Sequence, residues 1–183
     1  DRLERTATWF NKLEGGIEND WSDWERKGKL KDPAARCGLG VDHWNRFEED
    51  LGLITSLGLK GFRLSLEWAR LEPEPGRFDD AAAKRYREHL EALTAAGITP
   101  VVTLHHFTHP GWFHAKTPWH LPAVLPAWER WVRFCADLVS GLDVVVCTLN
   151  EPMVLLVAGY LGGAFPPGLT DPRLAVAALE NLA

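Results

Sequence analysis

A chain of 183 residues with 46% hydrophobic and 25% charged residues carries enough apolar material for one folded core, which excludes a disordered chain. A formal net charge of −5 without any Lys/Arg cluster excludes a nucleic-acid partner, whose phosphates need a basic surface. No apolar run approaches the roughly 18 residues of a membrane span, so no membrane contact is expected either.

The elements follow in chain order. Ala7 to Phe10 is read as a first strand, although its lead-in, Arg2 to Arg5, is polar for a central one. Trp44, Phe47, Leu51, Ile54 and Leu57 recur three or four apart and predict one apolar helix face, with Gly58 as the stop. Gly61 to Leu66 reads as a strand. A second helix begins near Asp79 and Asp80, which suit a helix N-terminus, sets Tyr86, Leu90 and Leu93 on one face and ends at Gly97. Thr99 to His106 is the next strand. Pro126 fits the first turn of a third helix, with Trp128, Trp131, Cys135 and Leu138 inward and Gly141 at its end. Asp143 to Thr148 is a strand whose Val144–Val146 run predicts cover on both faces. Asp171 to Ala183 starts a fourth helix with Pro172 in its first turn and Leu174, Ala178 and Leu179 on one side. Repeated αβ units of this kind are the grammar of an α/β barrel or a doubly wound sheet. No Gly-rich phosphate loop follows a strand, which disfavours the doubly wound form and its nucleotide cofactors; no cofactor is expected.

The strand ends carry the chemistry. Thr148-Leu149-Asn150-Glu151-Pro152-Met153 places a carboxylate and an amide where the last strand stops, which is where α/β barrels keep their active sites. Taken alone, an Asn-Glu-Pro turn with solvated side chains fits equally well. Of the nine tryptophans most read as core, and Trp112, just past the His106 strand end, reads as the best ligand contact. His105, His106, His109, His114 and His120 lie along one strand and one loop, whereas barrel metal sites draw on several strand ends, so no metal is expected. Cys37, Cys135 and Cys147 form an odd set without metal spacing and predict reduced thiols in a cytoplasmic protein.

Thr148 to Pro152 as TLNEP, Arg63 to Arg70 as R-x-S-x-x-W-x-R, Thr103 to Pro110 as TLHHFTHP, and Gly159-Tyr160 with the later Pro167-Gly168 together resemble the family 1 glycoside hydrolases, the retaining β-glycosidases. The resemblance runs from about Ala7 to the last residue. It implies a (β/α)8 TIM barrel acting on β-linked sugars. Such barrels take about 250 residues, so residues 1–183 are expected to be an N-terminal half, the first four βα units. The resemblance makes Glu151 the acid/base. Asn150 would donate to the sugar's 2-hydroxyl, His106 would bind sugar, and Arg63 would support the nucleophile unless it is only a structural ion pair with Glu67 or another carboxylate. His105, of opposite parity, is expected to be structural. Lys12 stands where the family has the glutamine of Gln-x-Glu-Gly; it is assigned to substrate binding, but lysine offers donors only and brings a charge. The family's nucleophilic glutamate lies in a Glu-Asn-Gly motif, which these 183 residues do not contain. Two functions stay open. One is the acid/base half of a β-glycosidase, inactive until a complementary C-terminal half joins it; the other is a non-catalytic half-barrel, carbohydrate-binding, self-associating or engineered.

Overall fold

A computed structural model describes residues 16–30, 32 and 36–183. The expected strand Ala7 to Phe10 and the position of Lys12 lie outside the described residues. Within them, β1 (Gly61–Ser65), β2 (Thr99–His105) and β3 (Val145–Leu149) form a parallel sheet in the order β1-β2-β3. Its register pairs Arg63 with Val101, Ser65 with Thr103, and Thr103 with Cys147. Side chains alternate across a strand, so Phe62, Leu64, Val102 and Leu104 are buried on one side while Arg63, Thr103 and Cys147 share the other.

Eight α-helices accompany the described strands: α1 (Asp20–Arg26), α2 (Phe47–Ser56), α3 (Trp68–Leu71), α4 (Asp80–Ala95), α5 (Phe113–Lys116), α6 (Val124–Val139), α7 (Pro152–Leu156) and α8 (Pro172–Leu182), with a π-helical turn at Val157–Leu161. Local chemistry explains the long ones. In α4 the Asp79 carboxylate caps the Ala82 N–H at 2.9 Å, and Gly97, at φ +72°, takes the left-handed turn that lets the chain leave for β2. Tyr86, Leu90 and Leu93 are its buried face. In α6, Trp131 and Cys135 are fully buried; the Trp131 ring stacks on Trp68 at 5.1 Å and its indole N–H donates to the Leu104 carbonyl at 3.0 Å, seating the helix on β2. Asp171 caps α8 through the Arg173 N–H at 2.8 Å, with Pro172 in the first turn where no donor is needed.

Three apolar expectations are corrected. Leu57 is 61% exposed because α2 stops at Ser56, so the residue leaves the 3.6-residue period before reaching the core. Leu179 is exposed as well, at the rim of α8's buried face. The Val144–Val146 run is not covered on both faces: Val145 and Val146 are 54% and 45% exposed, since β3 is the edge of the described sheet. No helix among the described residues is long and apolar enough to cross a membrane.

The segment after β3 is locked by two close approaches. A Cβ on Gly159 would lie 2.9 Å from the Pro166 carbonyl oxygen, and one on Gly168 would lie 2.4 Å from the Trp24 ring. Glycine at these points lets the loop 162–168 fold back onto the π-turn and onto α1.

Candidate active site

β3 ends at Leu149, and the next two residues form the centre of the site. The Asn150 N–H donates to the His105 carbonyl at 2.9 Å, continuing the β2–β3 ladder by one bond. Glu151 then turns left-handed, φ +44°, a conformation non-glycine residues adopt only under constraint, and Pro152 opens α7 directly behind it. Its side chain stands exposed beside that of Asn150, whose Nδ2 donates to Glu151 Oε2 at 3.3 Å.

Arg63 reaches across from β1. Its Nη2 donates to Asn150 Oδ1 at 2.6 Å, its Nε donates to Thr103 Oγ1 at 2.8 Å, and Cys147 Sγ lies 3.8 Å from Nη2. A guanidinium has donors only, so Oδ1 of Asn150 must face it and the amide N–H groups must face Glu151 and the mouth. No Arg63–Glu67 ion pair forms. Glu67 lies past the strand end as the cap of α3, fully buried, accepting from the Ala69 N–H at 3.2 Å and the Thr108 hydroxyl at 3.1 Å. Burial, reinforced by the charge of Asp20, pushes its carboxyl up to about 8, so Glu67 is protonated at neutral pH.

His106 follows β2, its Nδ1 3.2 Å from Ser65 Oγ at the end of β1. Burial and the charge of Arg63 push it down to about 4, so at neutral pH the ring is uncharged and offers one donor and one acceptor. His105 is buried, with Nε2 2.9 Å from His109 Nε2. Arg63, Asn150 and Glu151 are thus joined in one chain of contacts, with His106 on the neighbouring strand end. Trp112 is not among them: its indole N–H donates to the Glu72 carbonyl at 3.0 Å and its ring packs edge-on to Trp68, both packing contacts. Lys12 lies outside the described residues.

Ser65, Thr103 and Cys147 complete the group, and sequence reasoning had not singled them out. The first two stand inside the quoted motifs at inward-facing strand positions, a parity signal that could have found them.

Asp20, His109 and His114 also converge, with one potential ligand atom each within 4.8 Å of the others. The donor set does not suit a cation. Trp119 donates its indole N–H to His109 Nε2 at 2.8 Å, which puts the ring proton on Nδ1, the atom facing Asp20 at 2.7 Å. A metal would need that lone pair, so the cluster is a hydrogen-bonded hub around the Asp20 carboxylate.

The profile of Glycosyl hydrolase family 1 matches residues 7–181. The chain belongs to that family. Beta-glucosidase A of Thermotoga maritima is 33% identical over 145 residues, covering 79% of this chain and 32% of that protein. The cytosolic beta-glucosidase of Homo sapiens is 31% identical over 172 residues, 89% of this chain and 37% of that protein. Among solved structures, the beta-glycosidase from Pyrococcus horikoshii superposes with a TM-score of 0.83 at 38% identity, covering 93% of this chain and 40% of that one. The Thermotoga maritima beta-glucosidase in complex with cyclophellitol gives 0.85 at 30% identity, with 93% and 39% covered. This family 1 chain therefore spans about a third of the length of these curated relatives and about two-fifths of the solved ones, and its parallel βα units match part of the TIM-barrel fold of those structures.

Proposed function

We propose that residues 1–183 are the N-terminal half, the first four βα units, of a retaining β-glycosidase barrel, and that they carry the acid/base half of its active site. The observation that carries the reading is the Arg63–Asn150–Glu151 chain at the strand ends of a family 1 fold. Retaining hydrolysis needs two carboxyl groups about 5–5.5 Å apart, one attacking the anomeric carbon and one serving the departing oxygen. Glu151 is the second. It gives its proton to the leaving oxygen as the glycosyl–enzyme ester forms, then takes a proton from the water that hydrolyses that ester. Asn150, its amide turned by Arg63, donates to the 2-hydroxyl, a contact that tightens as oxocarbenium character grows. His106 hydrogen-bonds a sugar hydroxyl as a neutral ring. Arg63 also supports the nucleophilic glutamate, which stands in the family's Glu-Asn-Gly motif and must come from a complementary C-terminal half. Lys12, in place of the family's glutamine, supplies donors only and shifts the specificity of the outer sugar subsite. The substrate class is a β-linked glycoside, in keeping with relatives named as beta-glucosidases and a 6-phospho-beta-galactosidase. The buried Cys135 thiol, pushed well above its ordinary value by burial, is consistent with a cytoplasmic setting.

A second reading, a self-associating half-barrel without catalysis, draws on the exposed valines at the β3 edge. An assay on aryl β-glucosides separates the two: no turnover from the 183 residues alone, turnover when a complementary family 1 half is mixed in. Robust activity from the chain alone would overturn the half-enzyme reading, and no activity from any mixture would leave the second reading standing.

A further inference from the structure

The loop that carries His106 is held from a distant part of the chain. Asn19 Oδ1 caps the Trp21 and Ser22 N–H groups at 3.1 and 3.0 Å, which fixes the start of α1 and aims Asp20 at the loop after β2. The contact there is reciprocal: the Asp20 N–H donates to the His109 carbonyl at 3.0 Å, while the His109 N–H and Nδ1–H donate to Asp20 Oδ1 and Oδ2 at 2.9 and 2.7 Å. His114 adds a donor to Oδ2 at 2.9 Å, and the Trp21 indole N–H donates to the Phe107 carbonyl at 2.9 Å. Asp20, Trp21 and His109 are all buried. Burial would raise Asp20, but the two imidazoles outweigh it and hold the carboxyl well below the usual range, so it stays an anion able to accept all these bonds.

What the clamp encloses is strained. Phe107 has φ +67°, a left-handed conformation that a bulky residue keeps only where its surroundings over-determine it. His106 is the residue before it, and the direction of its side chain depends on that turn. We propose that Asp20 is a positioning residue of the active site: through His109, and with Trp21 on the Phe107 carbonyl, it holds the turn after β2 and so sets His106 against Ser65. The importance of this for hydrolysis rests on the sugar-binding role given to His106 above, but the clamp itself is a property of the described chain.

The test is an NMR pH titration of the His106 ring in the 183-residue protein, its resonance assigned by its loss in His106→Gln. In the parent, burial and the nearby charge of Arg63 push His106 down to about 4, and the burial depends on how the turn seats the ring. In Asp20→Ala the turn is released, and His106 should move up by about one unit or more toward the ordinary histidine value near 6.5. His114→Ala, which removes one contact to Asp20 and an edge-on ring contact to His109 but no hydrogen bond to residues 105–109, should leave it in place. If Asp20→Ala does not fold, Trp21→Phe, which removes the donor to the Phe107 carbonyl along with part of the ring contact to Phe165, should shift His106 in the same direction. An unmoved His106 in folded Asp20→Ala, or failing that in Trp21→Phe, would overturn the proposal. Failure of the glycosidase assay would leave this titration unaffected, so the two readings fail separately.

Discussion

Arg63 on β1 and Asn150 just past β3 meet at 2.6 Å by passing over β2, where Thr103 takes the second guanidinium contact at 2.8 Å. One cation thus ties three neighbouring strands together and decides which end of the Asn150 amide faces the mouth. Lysine at this position would keep the charge but replace the rigid fork with a single mobile point. In the completed enzyme, Arg63→Lys should lower kcat/KM by about 10- to 100-fold, the scale of losing one preorganised donor to the transition state. Steady-state kinetics on aryl glucosides test this, and an unchanged kcat/KM would separate Asn150 orientation from Arg63.

Glu151→Gln in the same completed enzyme should nearly abolish turnover of substrates with poor leaving groups and spare activated aryl glycosides, for which protonation matters less. Equal losses on both types would contradict the acid/base role.

Glu67 gives a pH dependence with a defined sign. Its folded value of about 8 lies above the 4.5 of the free group, so the folded state binds the extra proton between those limits. Its contribution to stability is present below the free value and is lost as pH rises through that window, up to a ceiling of about 5 kcal/mol. Glu67→Gln, neutral and of the same shape, should flatten the decline. Urea midpoints compared at pH 5 and pH 8 measure it, and parallel declines in both proteins would refute the assignment.

Gly168→Ala should destabilise by about 1–3 kcal/mol, since its Cβ would fall 2.4 Å from Trp24 in a packed contact. Gly76→Ala is the control, with a similar φ of +76° against +78° and open space where its Cβ would stand. The difference between the two denaturation midpoints isolates the Trp24 contact from the backbone cost, and equal losses would show that only the backbone matters.

The exposed edge strand should make the 183-residue protein associate with itself or with a complementary half. Val145 and Val146 leave β-prone, uncharged surface at an edge with no further strand partner among the described residues. Light scattering at micromolar concentration should report an oligomer, and Val145→Lys should weaken it. A monomer at high concentration would count against association through β3.

What could be read along the chain was what neighbouring residues decide. The 3.6-residue spacing of Tyr86, Leu90 and Leu93, the Asp79 cap and the Gly97 stop are local, and α4 occupies Asp80–Ala95 accordingly. The three described strands were legible within a residue or two, and TLNEP set Asn150 and Glu151 at a strand end because parallel strands finish where their turn residues begin. Short elements escaped: α1 has only 7 residues, and its Asn19–Ser22 capping box was the one local sign of it. Leu57 and Leu179 carried the right period but lay beyond or at the rim of the packed face, which depends on where a helix stops and what covers it. The Val144–Val146 run signalled burial, yet burial needs a neighbouring strand, and β3 has none beyond it among the described residues. The site's wiring was also out of reach. Arg63 finds Asn150 across 87 positions and Asp20 finds His109 across 89, and local propensities contain no term for such pairs. Only packing of the strands side by side, and of α1 against the loop after β2, brings them within hydrogen-bonding distance, and at Asp20 and His109 the low dielectric of a buried cluster strengthens each contact.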